Sequence, residues 1–188
     1  GHRLHELVGQ AGHEFGLGQA LGQRALRRDA GDHRCAGRGQ QVVGRLHEET
    51  DRFVDLVEVG VGADRGELGD AAAARAFLLA RCANRESTLF IAHEGDTAIG
   101  FAQLYPSFSS VSLARIFILN DLFVQEQARR TRVASSLLSA AATFAVSLGA
   151  VRLSLSTALT NDAAHALYRS AGWNRDQQFS VYHLALSV

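Results

Sequence analysis

Arg129, Arg130 and Arg132 fall within four residues, and their surroundings make them a candidate anion site. Before them, Arg115–Val124 is an apolar run rich in β-branched and aromatic residues, which reads as a buried strand. That run breaks at Gln125–Ala128. After the arginines comes an Ala/Ser/Leu segment with no Gly or Pro until Gly149, which reads as a helix. The order is strand, basic loop, helix start. The first turn of a helix carries unpaired backbone N–H groups and a partial positive charge, so it can hold a phosphate. The guanidinium groups would add charge-assisted hydrogen bonds. Taken alone, the same loop also reads as solvated surface, and the chain downstream has to decide.

Other groupings carry less. Gly60-Val61-Gly62 and Gly66 stand after a possible strand at 52–59 and before an alanine-rich helix, with Glu94 after the next strand. This is a Rossmann-like order. The spacing is G-x-G-x-x-x-G and the helix starts late, so a nicotinamide-binding oxidoreductase is a distant alternative. His2 and His5 could share a helix face as metal ligands, but a solvated arm explains them better. Cys35 and Cys82 belong to no metal or disulfide pattern. The expectation is no metal. His165 and His183 read as solvent-facing or structural.

The 188 residues are enough for one domain with a core. Nineteen basic and nineteen acidic residues cancel, so no global field for nucleic acid exists. No apolar run reaches membrane-spanning length and no signal-peptide pattern opens the chain. These absences predict no membrane or nucleic-acid partner and a cytoplasmic location. The chain has no Lys, which removes P-loop, Schiff-base and Tyr-x-x-x-Lys chemistry. It also has no Met at position 1, so a fragment, a processed product or an artificial reading is expected. Residues 1–66 are rich in Gly, His and Arg. They read as an atypical segment, disordered or not native, with no convincing strand before Gln41.

From Asp70 onward the elements are legible. A helix is expected over Asp70–Ala83, with Ala74, Phe77, Leu78 and Arg81 on one stripe. A strand at Ser87–His93 and a partner at Ala98–Tyr105 flank the hairpin turn Glu94-Gly95-Asp96-Thr97. Pro106 ends the second strand, and Pro106–Val111 is a polar loop. Arg115–Val124 is the third strand of the meander. The helix Arg132–Leu148 stops at Gly149. Ala150–Ser156 alternates as a strand. Asn161 caps a helix that runs to Ser170. Phe179–Leu186 alternates again and closes the sheet.

Three blocks of this text resemble the GNAT acyltransferase superfamily. The first is the strand, the loop Arg129-Arg130-Thr131-Arg132-Val133-Ala134 and the helix, similar to R-x-x-G-x-G/A. The second matches N-x-x-A-x-x-L-Y-x-x-x-G-[FW] in full, through Asn161, Ala164, Leu167, Tyr168, Gly172 and Trp173. The third is the lead-in IFILNDLFV, whose texture resembles the branch with histone- and polyamine-acetylating enzymes. The resemblance spans about Asp70 to the C-terminus and departs from the family at Arg132, where the family has Gly. An arginine there must tilt away from the pyrophosphate or replace a backbone contact with its guanidinium.

The resemblance implies an α/β (α+β) fold, a mixed, mostly antiparallel sheet flanked by helices with a splayed central strand pair. The acetyltransferase domain would occupy residues 67–188. It implies acetyl transfer from acetyl-CoA to a primary amine by direct attack, the acceptor being a small molecule, a polyamine or a protein amine. Leu122, Phe123 and Val124 would pair with the pantetheine arm, Asn161 would touch it, and Arg129, Arg130, Thr131, Arg132, Val133 and Ala134 would hold the pyrophosphate. A bulge near Asn120–Leu122 would aim a backbone N–H at the thioester carbonyl. Tyr168 would be the general acid and Asp121 a candidate base. Tyr105, Ser107, Phe108 and Asn120 would shape the amine side. A two-subunit assembly is common in such families. The competing expectation is an inactive GNAT-like domain that binds CoA or regulates.

Overall fold

The computed structural model describes residues 40–44 and 71–186. The Gly60–Gly66 turn, the expected strand at 52–59 and the His2/His5 pair lie outside these residues. The described residues fall into two compact units divided after Ser156.

The first unit is built on a five-stranded sheet in the order β1-β2-β3-β4-β5. Its elements in chain order are β1 (Gln40–Gly44), α1 (Ala71–Ala83), β2 (Thr88–Glu94), β3 (Thr97–Ser109), β4 (Ala114–Val124), α2 (Val133–Ser147) and β5 (Arg152–Ser154). The pairs β1–β2, β2–β3 and β3–β4 are antiparallel. β4 and β5 are parallel. β1 begins where the sequence reading left off, at the end of the stretch with no convincing strand before Gln41, and lies inside the 1–66 segment read as atypical; its short run QQVVG carries no alternation to reveal it.

Each face of the sheet has its own helix. Leu78 of α1, with Cys82 beside it, packs on Leu89, Ile91 and Phe101. On the other face, the Phe144 ring of α2 stands 5.6 Å from both Phe90 and Phe117. Leu104, Phe117, Val133 and Leu137 complete this layer and are fully buried. Burying each such side chain contributes roughly 1.5–3 kcal/mol, enough to hold the arginine-flanked end of α2 against the strands.

The sequence reading needs three corrections. Pro106 does not end its strand: β3 continues to Ser109, with Pro106 opposite Phe117. The β2 ladder stops at Thr88↔Leu104, so Pro106 sits where β3 has lost one neighbour and a missing N–H is tolerated. Ser107 and Phe108 are therefore strand residues opposite Ile116 and Arg115, and the loop shrinks to 110–113. β5 is only three residues long, shorter than Ala150–Ser156. Residues 179–186 form no strand. Phe179, Val181, Tyr182, Leu184 and Leu186 are exposed there, because alternation prepares a segment for a ladder but cannot supply the neighbouring strand.

The β4–β5 ladder is brief. Ile116, Phe117 and Ile118 face Arg152, Leu153 and Ser154, and there it ends. β4 runs on to Val124 with no partner on that edge among the described residues. β4 and β5 thus part, leaving Leu119–Phe123 without a strand partner on one side among the described residues.

Candidate functional site

The parted edge of β4 is where the chemistry-bearing residues of the first unit gather. Along β3 and β4, Gln103 is opposite Asp121 and Leu104 is opposite Leu119, so Asn120 is the extra residue of a bulge. The bulge changes the parity of β4. Phe117 and Leu119 face α2, and an unbroken strand would send Asp121 the same way into an apolar layer. The inserted Asn120 turns Asp121 to the opposite face, alongside Gln103 and Tyr105. The Asn120 side-chain amide donates 2.8 Å to an Asp121 carboxylate oxygen.

Tyr105 lies two residues along β3 from Gln103 and therefore on Asp121's face. Burial first, and then the negative charge of Asp121 and the Cys82 thiol, push its phenol above the ordinary value of 10.0. Arg81 and a hydrogen bond from Gln103 pull the other way. Arg81 is itself paired with Glu86 at 2.7 Å. Ser107 shares this face. Phe108 points to the other and is exposed, with the Arg115 guanidinium 4.9 Å from its ring centroid. The expected acceptor set is thus divided: Tyr105 and Ser107 share the face of the candidate base Asp121, Asn120 is the bulged residue beside that base, and Phe108 stands apart.

At the far end of β4 the chain turns into the arginine loop. The Arg129 side chain donates to the Val124 carbonyl at 3.2 Å, folding back along the strand that it follows. The Thr131 hydroxyl donates to the Ala128 carbonyl at 2.6 Å. Arg130 and Arg132 both have left-handed backbones, at φ +64° and +70°. Arg132 therefore takes the conformation that a glycine would take, at a cost of roughly 1–2 kcal/mol for its Cβ. It is also the N-cap of α2, and no side chain caps this helix. Ser, Thr, Asp or Asn would normally fill that role. Its absence leaves first-turn N–H groups, those of Val133 and Ala134 among them, able to serve an anion. These residues fit a pyrophosphate: left-handed loop, uncapped helix start, three cations and a dipole of the right sign.

The second unit contains Asn161 and Tyr168. Helix α3 spans Asp162–Ser170, and the Asn161 side chain caps it by accepting the Ala164 N–H at 3.1 Å. Tyr168 is half-buried, 5.8 Å from the Trp173 ring. Gly172 is left-handed at φ +83°, and the Trp173 N–H returns to the Tyr168 carbonyl at 2.9 Å. The motif from Asn161 to Trp173 is thus a complete helix with both ends satisfied, which holds the phenol at a defined angle. Burial raises the Tyr168 phenol above 10.0, so it keeps its proton. The ring nitrogen Nε2 of His165 lies 3.1 Å from the Ala158 carbonyl, a structural partner.

Sequence reasoning missed Gln103 and Gly100. Gln103 is 1% exposed in an otherwise apolar row, and its interruption of the run Ile99–Leu104 was the available signal.

Comparison with known proteins bears on this arrangement. The model of the Acetyltransferase (GNAT) family matches residues 54–173. An uncharacterized N-acetyltransferase of Bacillus subtilis (strain 168), YhfO, is 48% identical over 118 residues, which is 63% of this chain and 79% of that protein. The crystal structure of a probable acetyltransferase, 40% identical, superposes with a TM-score of 0.71 over 78% of this chain and 98% of its own. AAC(6')-Iy in complex with the bisubstrate analogue CoA-S-monomethyl-acetylneamine shares the fold at 18% identity. Its TM-score is 0.61 over 78% of this chain and 99% of that one.

Proposed function

The chain belongs to the Acetyltransferase (GNAT) family and is an acyltransferase, and we propose that it moves the acetyl group of acetyl-CoA to a primary amine by direct attack. The observation that carries this reading is the bulged edge of β4 that no strand pairs among the described residues, which leads through one 3-10 turn at Glu126–Ala128 into a left-handed loop and an uncapped helix. Such an edge suits an extended amide-bearing chain, and the helix start suits its phosphates. That AAC(6')-Iy is described with a CoA-based bisubstrate analogue agrees with this choice of donor.

Acetyl-CoA, when bound, supplies an activated acetyl thioester. The chain's residues supply the rest. Backbone groups of Leu122, Phe123 and Val124 hold the pantetheine arm, with Asn161 touching it. Arg129, Arg130, Thr131, Arg132, Val133 and Ala134 hold the pyrophosphate. Asp121, on the face it shares with Tyr105, takes the proton that an incoming ammonium must lose. Tyr168 keeps its phenol proton and delivers it to the leaving sulfur. Tyr105, Ser107 and Asn120 line the acceptor side, and Phe108, on the opposite face, is left out of it. Residues 67–188 carry the acetyltransferase machinery in this reading, and a homodimer is the assembly to look for. A cytoplasmic location agrees with the absence, among the described residues, of any helix long and apolar enough to cross a membrane.

The left-handed backbone at Arg132 weighs against an inactive domain, because the loop keeps its glycine-like course without the glycine. The test is thiol release from acetyl-CoA with spermidine, tyramine and a lysine-containing peptide, beside calorimetry of acetyl-CoA. Binding with amine-dependent thiol release supports the enzyme. Binding without release from any amine in a wide panel returns the chain to a CoA-binding, regulatory role.

A further inference from the structure

Ile118 is a large apolar side chain left uncovered on the face that holds Asp121. Phe117 meets Phe144 of α2, so by alternation Ile118 points to the α1 face. Ile116, two residues earlier on the same face, is 8% exposed, whereas Ile118 is 41% exposed. Directly across from Ile118 on β3 is Tyr105. Ile118 is also the last residue of β4 with a partner on β5, Ser154, so it stands at the fork where the two strands part. The bulge at Asn120 then makes Asp121 the next β4 residue on this face. An aliphatic side chain beside a phenol ring is thus followed by a carboxylate. Their spacing is set by β3, because Ile118 and Asp121 oppose Tyr105 and Gln103, which are two residues apart. Two steps of a strand span about 7 Å.

The charge of this face is single. Asp121 is the one carboxylate that β3 and β4 carry. The Asn120 amide donates to one of its oxygens at 2.8 Å, and a carboxylate has acceptor sites to spare for a substrate ammonium. Glu86 stands next to Ser87, whose hydroxyl the buried Gln103 reaches at 3.1 Å, but its carboxylate is taken by Arg81 at 2.7 Å. A second ammonium laid along these strands would lose water without meeting an anion. Resting on the reading of this face as the acceptor side, we propose that the acceptor is a small monoamine with an apolar body, whose ammonium meets Asp121 while the body lies on Ile118 and Tyr105. An arylethylamine fits the step of about 7 Å from Asp121 to Ile118, and its ring has an aliphatic and an aromatic neighbour to cover. A diamine or polyamine would lay a second charge on Ile118.

The experiment measures kcat/KM by thiol release, on the full chain with acetyl-CoA, for 2-phenylethylamine, ethylamine, 1,4-diaminobutane, spermidine and a lysine-containing peptide. 2-Phenylethylamine should exceed the diamine, spermidine and the peptide by about tenfold or more. Ile118→Ala should lower the ratio of 2-phenylethylamine to ethylamine by about tenfold, the scale of lost apolar contact in a binding site. Ile118→Asp supplies a second carboxylate where the second charge of a diamine would fall, and should reverse the preference towards 1,4-diaminobutane. Ile118 is exposed, so folded variants are expected, and a thermal melt checks them. If Ile118→Asp does not fold, the wild-type panel and Ile118→Ala decide. Faster turnover of the diamine, spermidine or the peptide by the wild type overturns the monoamine class and leaves acetyl transfer standing. An unmoved ratio in Ile118→Ala, or an unreversed preference in a folded Ile118→Asp, removes Ile118 from the acceptor site and overturns the inference. Acetyl-CoA binding with no thiol release from any of the amines removes acetyl transfer itself, and this acceptor with it.

Discussion

Gly100 lies so close to Phe123 that a Cβ on it would stand 2.8 Å from the Phe123 carbonyl oxygen. The same atom would press on Val124 and on Val133, each at 3.3 Å. Three parts of the candidate site therefore meet at one missing methyl group: β3, the end of β4 proposed to pair with pantetheine, and the first residue of α2.

Gly100→Ala should accordingly force β4 and the helix start apart. The obstruction is a backbone oxygen, which cannot swing aside as a side chain can. A loss of about 1–3 kcal/mol is expected, on the scale of an overpacked core. Acetyl-CoA affinity should fall with it. Chemical denaturation and calorimetry on the same preparation would show both. A stable variant with unchanged affinity would mean that the strands yield without disturbing the site.

Arg132→Gly keeps the left-handed backbone and removes the Cβ that strains it. The folded state gains roughly 1 kcal/mol from relieved strain, while the unfolded chain gains freedom, so the net stability change should be small. Acetyl-CoA should bind more tightly, because the backbone can approach the pyrophosphate. Calorimetry decides. Weaker binding would instead identify the guanidinium as a phosphate ligand.

Tyr168→Phe should lower kcat by about 10²–10⁴-fold, the usual contribution of a general acid, with acetyl-CoA binding unchanged. The pH dependence follows from burial. A phenol raised above 10.0 keeps its proton to higher pH than a free tyrosine. The limb of the rate profile that reports its ionisation should therefore lie above pH 10, with no loss from this group between pH 7 and 10. A Phe variant as fast as wild type across that range would remove the acid role.

Asn161→Ala removes the one side chain that caps α3. The expected cost is about 1 kcal/mol, expressed as fraying of the first turn. Hydrogen exchange at Ala164, whose N–H bonds Asn161, should accelerate first. Unchanged protection there would show that the helix start is held by something other than its cap.

Much of this was legible from local chemistry. Asn161, Gly172 and Trp173 specify both ends of a helix by caps that act within a few residues. The loop from Gln125 to Arg132 lies between an apolar run and an Ala/Leu run, so its place between strand and helix needed no distant partner. The left-handed turn at Arg132 and the burial of Gln103 have a different origin, and the bulge expected near Asn120–Leu122 from the resemblance is placed at Asn120 only by the strand register. An arginine has no preference for φ +70°; packing at both ends of the loop imposes it. Pro106 stops a strand by every local rule, yet β3 passes through it because β2 has already ended alongside. The C-terminal alternation at 179–186 advertises a strand, but a ladder needs a second chain segment in register, and alternation carries no register. Sequence by itself determined the family, the helix caps and the order of elements, since these depend on neighbours a few bonds away. Tertiary structure alone decided which face Asp121 occupies. One extra residue in a ladder reverses side-chain parity, and only pairing across strands reveals that residue.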